Sequence, residues 1–238
     1  MGATAANPTA KELMEGAVDL TRGVSSFAEL KMTVHLPDAE RTSTLKAWTR
    51  GRGEALIRFV APPRDAGNAT LKQGDNMWTF APKVRRVIRL PFSMMSQSWG
   101  GSDFSYNDLS RTDDLLRYYE LAITNTEQRE GHTVYTIEAL PHDDAPIVWG
   151  KEVLVLRDDY VLLQHTFLDQ SAEPQPLKRL EAEKVGDMGG RTFATTMRMV
   201  NLEKAEHWTR LEYVDARFDV KLDDSLFTVF SLESGNEP

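Results

Sequence analysis

Alternation of apolar and polar residues in short segments constrains the fold of this chain more than any other sequence feature. In residues 28–36 every second side chain is apolar, as expected for a strand with one face on an apolar interior. Turn sequences such as RGRGE and KQGD separate such segments. The predicted strands are Ala28–Leu36, Thr44–Thr49, Ala55–Val60, Ala69–Lys72, Asn76–Phe80, Val84–Leu90, Arg117–Thr124, Thr133–Leu140, Lys151–Leu156, Tyr160–Asp169, Leu177–Val185, Thr192–Val200 and Trp208–Phe218.

Helices are predicted at two places. An N-terminal helix spans residues 7–24, where Thr9 and Glu12 form a capping-box pair. Its apolar residues at helical spacing are Leu13, Ala17, Leu20 and Val24. A short helix is predicted in SYNDLSRTDDLL, and we expect Asp103 to accept hydrogen bonds from the backbone at its start while Phe104 packs inward.

Residues 1–238 are predicted to form a single domain, because no Pro/Ser-rich linker, charge block or internal repeat divides the chain. A sheet of about a dozen short strands has to curl, and a curled sheet with one apolar face can enclose a cavity. The predicted fold is therefore mainly β, with one strongly curved antiparallel sheet and few helices.

The segment LPFSMMSQSWGGSDFSY, Leu90 to Tyr106, is rich in apolar side chains but almost uncharged. Pro91 and the pair Gly100 and Gly101 interrupt any regular strand or helix through it. Two interpretations remain open: a mobile cover over the cavity, with adaptable methionines, or an ordinary loop packed on the core. In the first, Phe92, Met94, Met95, Trp99, Phe104 and Tyr106 contact a ligand.

Several function classes are disfavoured. The chain has no cysteine, which excludes disulfides and thiolate chemistry, and its net charge of −8 argues against nucleic acid as a partner. The five histidines lack close metal-ligand spacing, and the paired aspartates fall where turns are predicted. No nucleophile-elbow, Walker or dinucleotide-binding motif is present. We therefore expect no metal, no cofactor and no enzymatic activity.

Two further groups of residues each allow two interpretations. Trp48, Phe59, Trp78 and Phe80 lie on predicted strands, where they are either plain core or part of a ligand-binding wall. The basic run KVRRVIR contains Arg85, Arg86 and Arg89, which form either a solvated strand face or a docking patch for an acidic partner.

Two consecutive stretches, Phe59–Leu90 and Gly100–Leu109, carry motifs that resemble the LolA-like family of outer-membrane lipoprotein-sorting proteins. The motifs are P-x-x-x-G-x-x-x-L at Pro63/Gly67/Leu71, W-x-F-x-P-x-x-x-R-x-x-R at Trp78/Phe80/Pro82/Arg86/Arg89, and GSDFSY-x-DL at Gly101–Leu109. The closing LDDSLFTVFSLE is also similar to the ending of that family.

The resemblance implies an unclosed antiparallel β-barrel whose N-terminal helix and 90–110 region form a lid over an apolar cavity. It further implies a periplasmic carrier that binds acyl chains of lipoproteins or other lipids and moves them across the envelope. The GSDFSY element departs from the lipoprotein chaperones of this fold, and is similar to proteins that work with inner-membrane exporters of the resistance-nodulation-division type. The alternative is an envelope sensor that binds a protein partner with the same half-barrel.

Compartment is a separate expectation. The start MGATAANPTA is rich in small residues, as mature ends are after signal cleavage, although an ordinary frayed terminus explains it equally well. Together with the resemblance, it leads us to expect a precursor with a signal peptide and a periplasmic mature protein.

Overall fold

All strands pair in antiparallel fashion within one thirteen-stranded sheet in the computed structural model, which describes residues 7–110, 113–204 and 206–235. The strands are β1 (Ser25–Leu36), β2 (Ala39–Arg50), β3 (Glu54–Ala61), β4 (Ala69–Gln73), β5 (Asn76–Ala81), β6 (Arg86–Arg89), β7 (Tyr119–Arg129), β8 (His132–Pro141), β9 (Glu152–Arg157), β10 (Leu162–Leu168), β11 (Pro176–Met188), β12 (Arg191–Asn201) and β13 (Trp208–Phe218). Each predicted strand is therefore present, although the bounds differ: Arg117–Thr124 is found as Tyr119–Arg129, because Arg117 and Tyr118 end a short helix.

The sheet has two arms that meet in the middle of the strand order. β1 and β13 are neighbours there, and the order runs outward to β6 on one side and through β12 to β7 on the other. Register shifts in β1–β13 and β11–β12 mark irregularities of the kind that bend a sheet. Since the edge strands β6 and β7 do not pair with each other, the barrel is unclosed, which confirms the predicted fold class.

Two predicted strands are shorter than expected at their first residues. Val84–Leu90 becomes Arg86–Arg89, and Tyr160–Asp169 becomes Leu162–Leu168. The cause is local: Arg85 and Tyr160 have φ values of 48° and 69°, which place them in turns.

The N-terminal helix α1 (Ala10–Arg22) has the predicted capping box. The Thr9 amide donates to Glu12 Oε2 at 2.7 Å, and the Glu12 amide donates to Thr9 Oγ1 at 3.2 Å. Val24 was wrongly assigned to the apolar face, since the helix ends at Arg22 and Val24 is 76% exposed. The buried side chains of α1 are Ala10, Leu13, Met14, Val18 and Arg22.

The described residues also form three short α-helices, α2 (Tyr106–Ser110), α3 (Asp114–Tyr118) and α4 (Val229–Ser234), and the short 3-10 helices Phe92–Met94 and Asp224–Phe227. The expectation for Asp103 was wrong. The residue that precedes α2 is Ser105, whose amide donates to Asp108 Oδ2 at 2.6 Å while the Asp108 amide donates to Ser105 Oγ at 3.2 Å. Asp103 instead accepts a hydrogen bond from the Thr209 hydroxyl of β13 at 2.7 Å. Phe104 packs inward, as predicted.

The apolar segment before α2 packs against β3–β5. Trp99 is 3% exposed, and its indole donates to Thr70 Oγ1 at 3.1 Å while its ring lies 5.3 Å from that of Phe59. Met95 is buried in a cluster with Met77 and Leu90. This packing agrees better with a loop fixed on the core than with a mobile cover.

Candidate functional site

A cavity of about 370 Å³ lies between the inner face of the sheet and helices α1, α2 and α3. Its wall on β12 runs from Phe193 to Met199, roughly 20 Å at the rise of an extended strand. The wall also crosses seven neighbouring strands, from β2 to β9, and the cavity volume falls at the lower end of the range typical of ligand pockets.

Most of the cavity wall is apolar, with side chains from α1, from one loop and from the sheet. α1 contributes Met14, Ala17 and Val18, and the loop before β9 contributes Ile147, Val148 and Trp149. The apolar residues of the sheet that line the cavity are Phe27, Ala28, Leu30, Ala47, Leu154, Leu162, Phe167, Leu180, Phe193, Ala194, Met197, Met199, Tyr213, Ala216 and Phe218. A surface of this kind can hold a hydrocarbon chain by removing it from water.

Helix α1 is held over the cavity by contacts at its C-terminal end. Arg191, at the start of β12, donates through Nη1 to the carbonyls of Asp19 and Leu20, each at 2.9 Å. Its Nη2 donates to Asp219 at 2.9 Å. A cation on the last carbonyls of a helix is favourable because those groups carry partial negative charge.

One end of the cavity, near the β11–β12 hairpin, contains a buried arginine. Arg22 donates through Nε to the Gly51 carbonyl at 3.0 Å and through Nη2 to the Glu54 carbonyl at 3.4 Å. Burial lowers the pKa of the Arg22 guanidinium and raises the pKa of the nearby Tyr213 phenol. Both groups line the cavity.

The other end of the cavity, towards the β12–β13 turn, is built around a buried ion pair. Lys178 Nζ bonds to Asp108 Oδ2, and the two side chains are 7% and 5% exposed. The indole of Trp149 donates to Asp108 Oδ1 at 3.1 Å, and the Lys178 ammonium lies 4.1 Å from the Trp149 ring. Burial lowers the pKa of Lys178, and Asp108 opposes that shift.

A second polar pair lies beside this ion pair. His165 Nε2 is 2.5 Å from Glu152 Oε2, and the imidazole stacks on Phe167 with ring centroids 4.0 Å apart. Asp108, Glu152 and His165 all line the cavity. The cavity thus combines an apolar middle with a different set of polar groups at each end.

The residues that the sequence predicted as ligand contacts are spread over the cavity wall, three packed clusters and one exposed position. Of these, only Phe104 is among the described residues that line the cavity. Trp48, Trp78 and Phe80 belong to a cluster with Phe227, while Phe59 and Trp99 pack together in another. Met94, Met95 and Tyr106 pack around Met77 and Leu90, and Phe92 is 48% exposed. Their contribution to ligand binding stays a prediction.

Sequence reasoning did not identify the main cavity wall. The second arm of the sheet contributes Phe167, Phe193 and Tyr213 to this wall, and the loop between β8 and β9 contributes Trp149. The signal for the strand residues was their inward position in the alternation, which the sequence does contain. What it does not contain is which arm of the sheet α1 covers.

One cluster of potential metal ligands occurs among the described residues, formed by His132, Asp158 and Asp159. Each carboxylate already has a partner: Asp158 accepts from the Thr133 amide at 3.0 Å, and Asp159 accepts from Arg157 Nε at 2.9 Å. The cluster lies at the turns between β7 and β8 and between β9 and β10, outside the cavity wall. It therefore fits turn stabilisation.

The basic residues proposed for partner docking lie on the edge of the first arm. Arg85, Arg86 and Arg89 are exposed on or beside β6, which pairs on one side only, with β5. Exposed apolar side chains accompany them, namely Val84, Ile88 and Phe92. Helix α4, which carries the exposed Phe230, contacts the same strand. This edge is called the β6 edge below.

The chain was compared with curated proteins and with solved structures. No curated protein matches its sequence. None of the helices in the described ranges combines the length and the apolar character needed to cross a membrane.

Three solved structures share the whole architecture. A protein described as a putative outer membrane lipoprotein-sorting protein domain, from Vibrio parahaemolyticus, has 24% identity and a TM-score of 0.80, over 94% of this chain and 98% of that chain. A LolA superfamily protein from Nitrosomonas europaea has 21% identity and a TM-score of 0.77, over 93% and 98%. A DUF1329 family protein from Desulfovibrio piger has 23% identity and a TM-score of 0.82, over 95% and 100%.

A family model described as "Uncharacterized protein" matches residues 51–234, from the β2–β3 turn to the end of α4. The chain belongs to that family, and its fold is LolA-like.

Proposed function

We propose that this protein is a periplasmic carrier that binds acyl chains of lipoproteins or other lipids and moves them across the cell envelope. The observation that carries the proposal is the largely apolar cavity between the sheet and helices α1–α3. The similarity in fold to a lipoprotein-sorting domain and to a LolA superfamily protein supports the same substrate class and the periplasm as its compartment.

The energetics of a carrier fit this cavity. Each methylene transferred from water to an apolar wall contributes about 0.8 kcal/mol, so a sixteen-carbon chain offers roughly 10 kcal/mol before the costs of binding. That gain suffices for capture without chemistry, and we propose no enzymatic activity. Release needs an opening of the cavity, and α1 is an element that such an opening could displace.

The nature of the ligand can be tested directly. The protein is purified from the envelope of its native cells without detergent, extracted with organic solvent, and the extract is analysed by mass spectrometry. We expect about one acyl lipid per chain. A protein that carries no lipid, and takes none up from vesicles of envelope lipids, contradicts the proposal.

A second candidate function is an envelope sensor that binds a protein partner. The β6 edge favours a protein contact of some kind, because exposed apolar residues and three arginines lie beside unpaired strand groups. The arginines repel a second copy of the same edge and attract an acidic segment. A carrier also needs a docking surface, since it has to meet a donor or an acceptor.

For the carrier, we propose that the partner at the β6 edge is an inner-membrane exporter of the resistance-nodulation-division type. A photo-crosslinking residue in place of Val84 tests this in intact cells, with Val214, exposed on β13, as the control position. An adduct with such an exporter from position 84 alone supports the carrier. An adduct with a signalling protein favours the sensor instead.

A further inference from the structure

The polar groups at the Lys178 end of the cavity have a chemistry that a hydrocarbon chain does not use. We propose that Glu152 binds a polar group of the ligand that donates hydrogen bonds, a hydroxyl or a protonated amine, with His165 and Asp108 lining the cavity beside it. The ligand is then a hydrophobic molecule with a donor group rather than a bare carboxylate or phosphate. This inference rests on the proposed lipid-binding function.

Glu152 is the central residue of this site. It is 5% exposed and lies on the inner face of β9, where it lines the cavity. One carboxylate oxygen, Oε2, is 2.5 Å from His165 Nε2. Within the described part of the chain, no group donates a hydrogen bond to the other oxygen, Oε1. Because Glu152 is buried and lines the cavity, a ligand in the cavity can supply the donor that this oxygen lacks.

The balance of charge decides the sign of the ligand group. Asp108, Glu152 and Asp103 are three carboxylates in this region, against the ammonium of Lys178 and the imidazole of His165. With the imidazole neutral or protonated, the net charge of the five groups is negative. An anionic group placed here would therefore be repelled, whereas a cation or a neutral donor is favoured.

Lys178 does not reverse this preference, because its ammonium is already occupied. It pairs with Asp108 and lies over the rings of Trp149 and Phe167, at 4.1 and 4.8 Å. It is not among the residues that line the cavity. Asp108 in turn accepts from Trp149 and from the Ser105 amide, so the ion pair fixes the wall beside Glu152.

The two ends of the cavity differ in the charge of the groups that line them. Glu152 pairs in register with Phe167 and, through it, with Lys178 and Asn201, at the end of the strands near the β12–β13 turn. Arg22 lies at the opposite end, beside the β11–β12 hairpin. The alternative to the proposal is therefore a ligand with an anionic group, which would place that group beside Arg22.

Three ligands with the same chain test the proposal: hexadecanoic acid, hexadecan-1-ol and hexadecylamine. Each displaces a sixteen-carbon alkyl probe with an uncharged fluorophore from delipidated protein at neutral pH. For the unmodified protein we expect the alcohol and the amine to bind about tenfold more tightly than the acid. Glu152→Gln should weaken the amine about tenfold relative to the alcohol. The control Glu138→Gln removes a carboxylate that pairs with Lys151 and does not line the cavity, and it should change neither ratio.

Equal affinity for the three ligands, or tighter binding of the acid, would overturn the inference while leaving the lipid-binding function intact. So would a Glu152→Gln variant that keeps the ligand ratios of the unmodified protein. If the probe itself does not bind and none of the three ligands binds, the result contradicts the proposed lipid-binding function itself. The comparison of ligands on the unmodified protein needs no variant, so a folding defect of Glu152→Gln cannot hide the result.

Discussion

Replacement of Asp108 by asparagine probes the buried ion pair that holds α2 against the sheet. The two side chains are 5% and 7% exposed, so Asp108→Asn leaves the Lys178 ammonium buried without a counter-charge. The asparagine has one carbonyl oxygen, so it can accept from Trp149 or from the Ser105 amide but not from both, and the variant removes the charge together with one hydrogen bond. Removal of one partner from a buried pair costs about 3–5 kcal/mol.

For a chain of this size, each kcal/mol corresponds to about 2–4 °C in the melting temperature, so we expect a decrease of roughly 10 °C. Urea unfolding gives the free energy directly, provided that two spectroscopic probes show one transition. The double variant Asp108→Asn/Lys178→Met removes the stranded ammonium and should regain most of the loss. A single variant within about 0.5 kcal/mol of the unmodified protein would refute the reasoning, because such values are typical of surface substitutions.

The same pair predicts a dependence on pH. Burial lowers the pKa of Lys178 below its usual value of 10.5, so the native state binds fewer protons than the unfolded state between the two pKa values. The contribution of Lys178 to the free energy of unfolding therefore rises with pH between its lowered pKa in the native state and 10.5. Asp108→Asn removes a group that opposes the shift, so the difference in unfolding free energy between variant and unmodified protein should shrink as the pH approaches 10.5. A difference that stays constant would contradict the assignment.

Three further variants test the segment before α2 and the β6 edge. Met95→Lys should destabilise the fold by several kcal/mol in urea unfolding, because Met95 is 6% exposed, whereas Phe92→Lys at a 48% exposed site should cost about 0.5 kcal/mol or less. Similar mild effects at both positions would restore the interpretation as a mobile cover. Arg85→Glu, Arg86→Glu and Arg89→Glu together should leave lipid binding unchanged and abolish the crosslink from the β6 edge; loss of lipid binding would contradict its separation from the cavity.

The strand pattern could be predicted from sequence because alternation is a local signal. Ala28–Leu36 alternates along its whole length, and β1 is found there with an inward face that includes Leu30 and Met32. The start of α1 was predictable for the same reason, since the capping box needs only Thr9 and Glu12. Asp103 was misplaced because its partner Thr209 is more than a hundred residues away in the chain.

The cavity wall was less predictable because it depends on packing between distant elements. Trp99 is the type of residue that often contacts an apolar ligand. However, its hydrogen bond to Thr70 and its contact with the Phe59 ring place it in the core. Gly100 lies beside it with φ of 56°, and a Cβ there would be 2.8 Å from the Phe59 ring, so the close approach depends on glycine. The burial of Lys178 could not be predicted from the sequence of its own strand, because its partner Asp108 lies 70 residues away in the GSDFSY-x-DL motif.

The central claim is that the cavity binds a hydrocarbon chain, and filling the cavity tests it most directly. Ala47 lines the wall on β2, and Ala47→Phe places a ring in the space, whereas Ala122→Phe adds the same ring to an exposed site on β7. The measurement is titration of each delipidated variant with the sixteen-carbon fluorescent probe, alongside a melting curve. We predict saturable binding by the unmodified protein and by Ala122→Phe, and binding about tenfold weaker or absent in a folded Ala47→Phe. Undiminished binding by Ala47→Phe, or no saturable binding by the unmodified protein, would contradict the account.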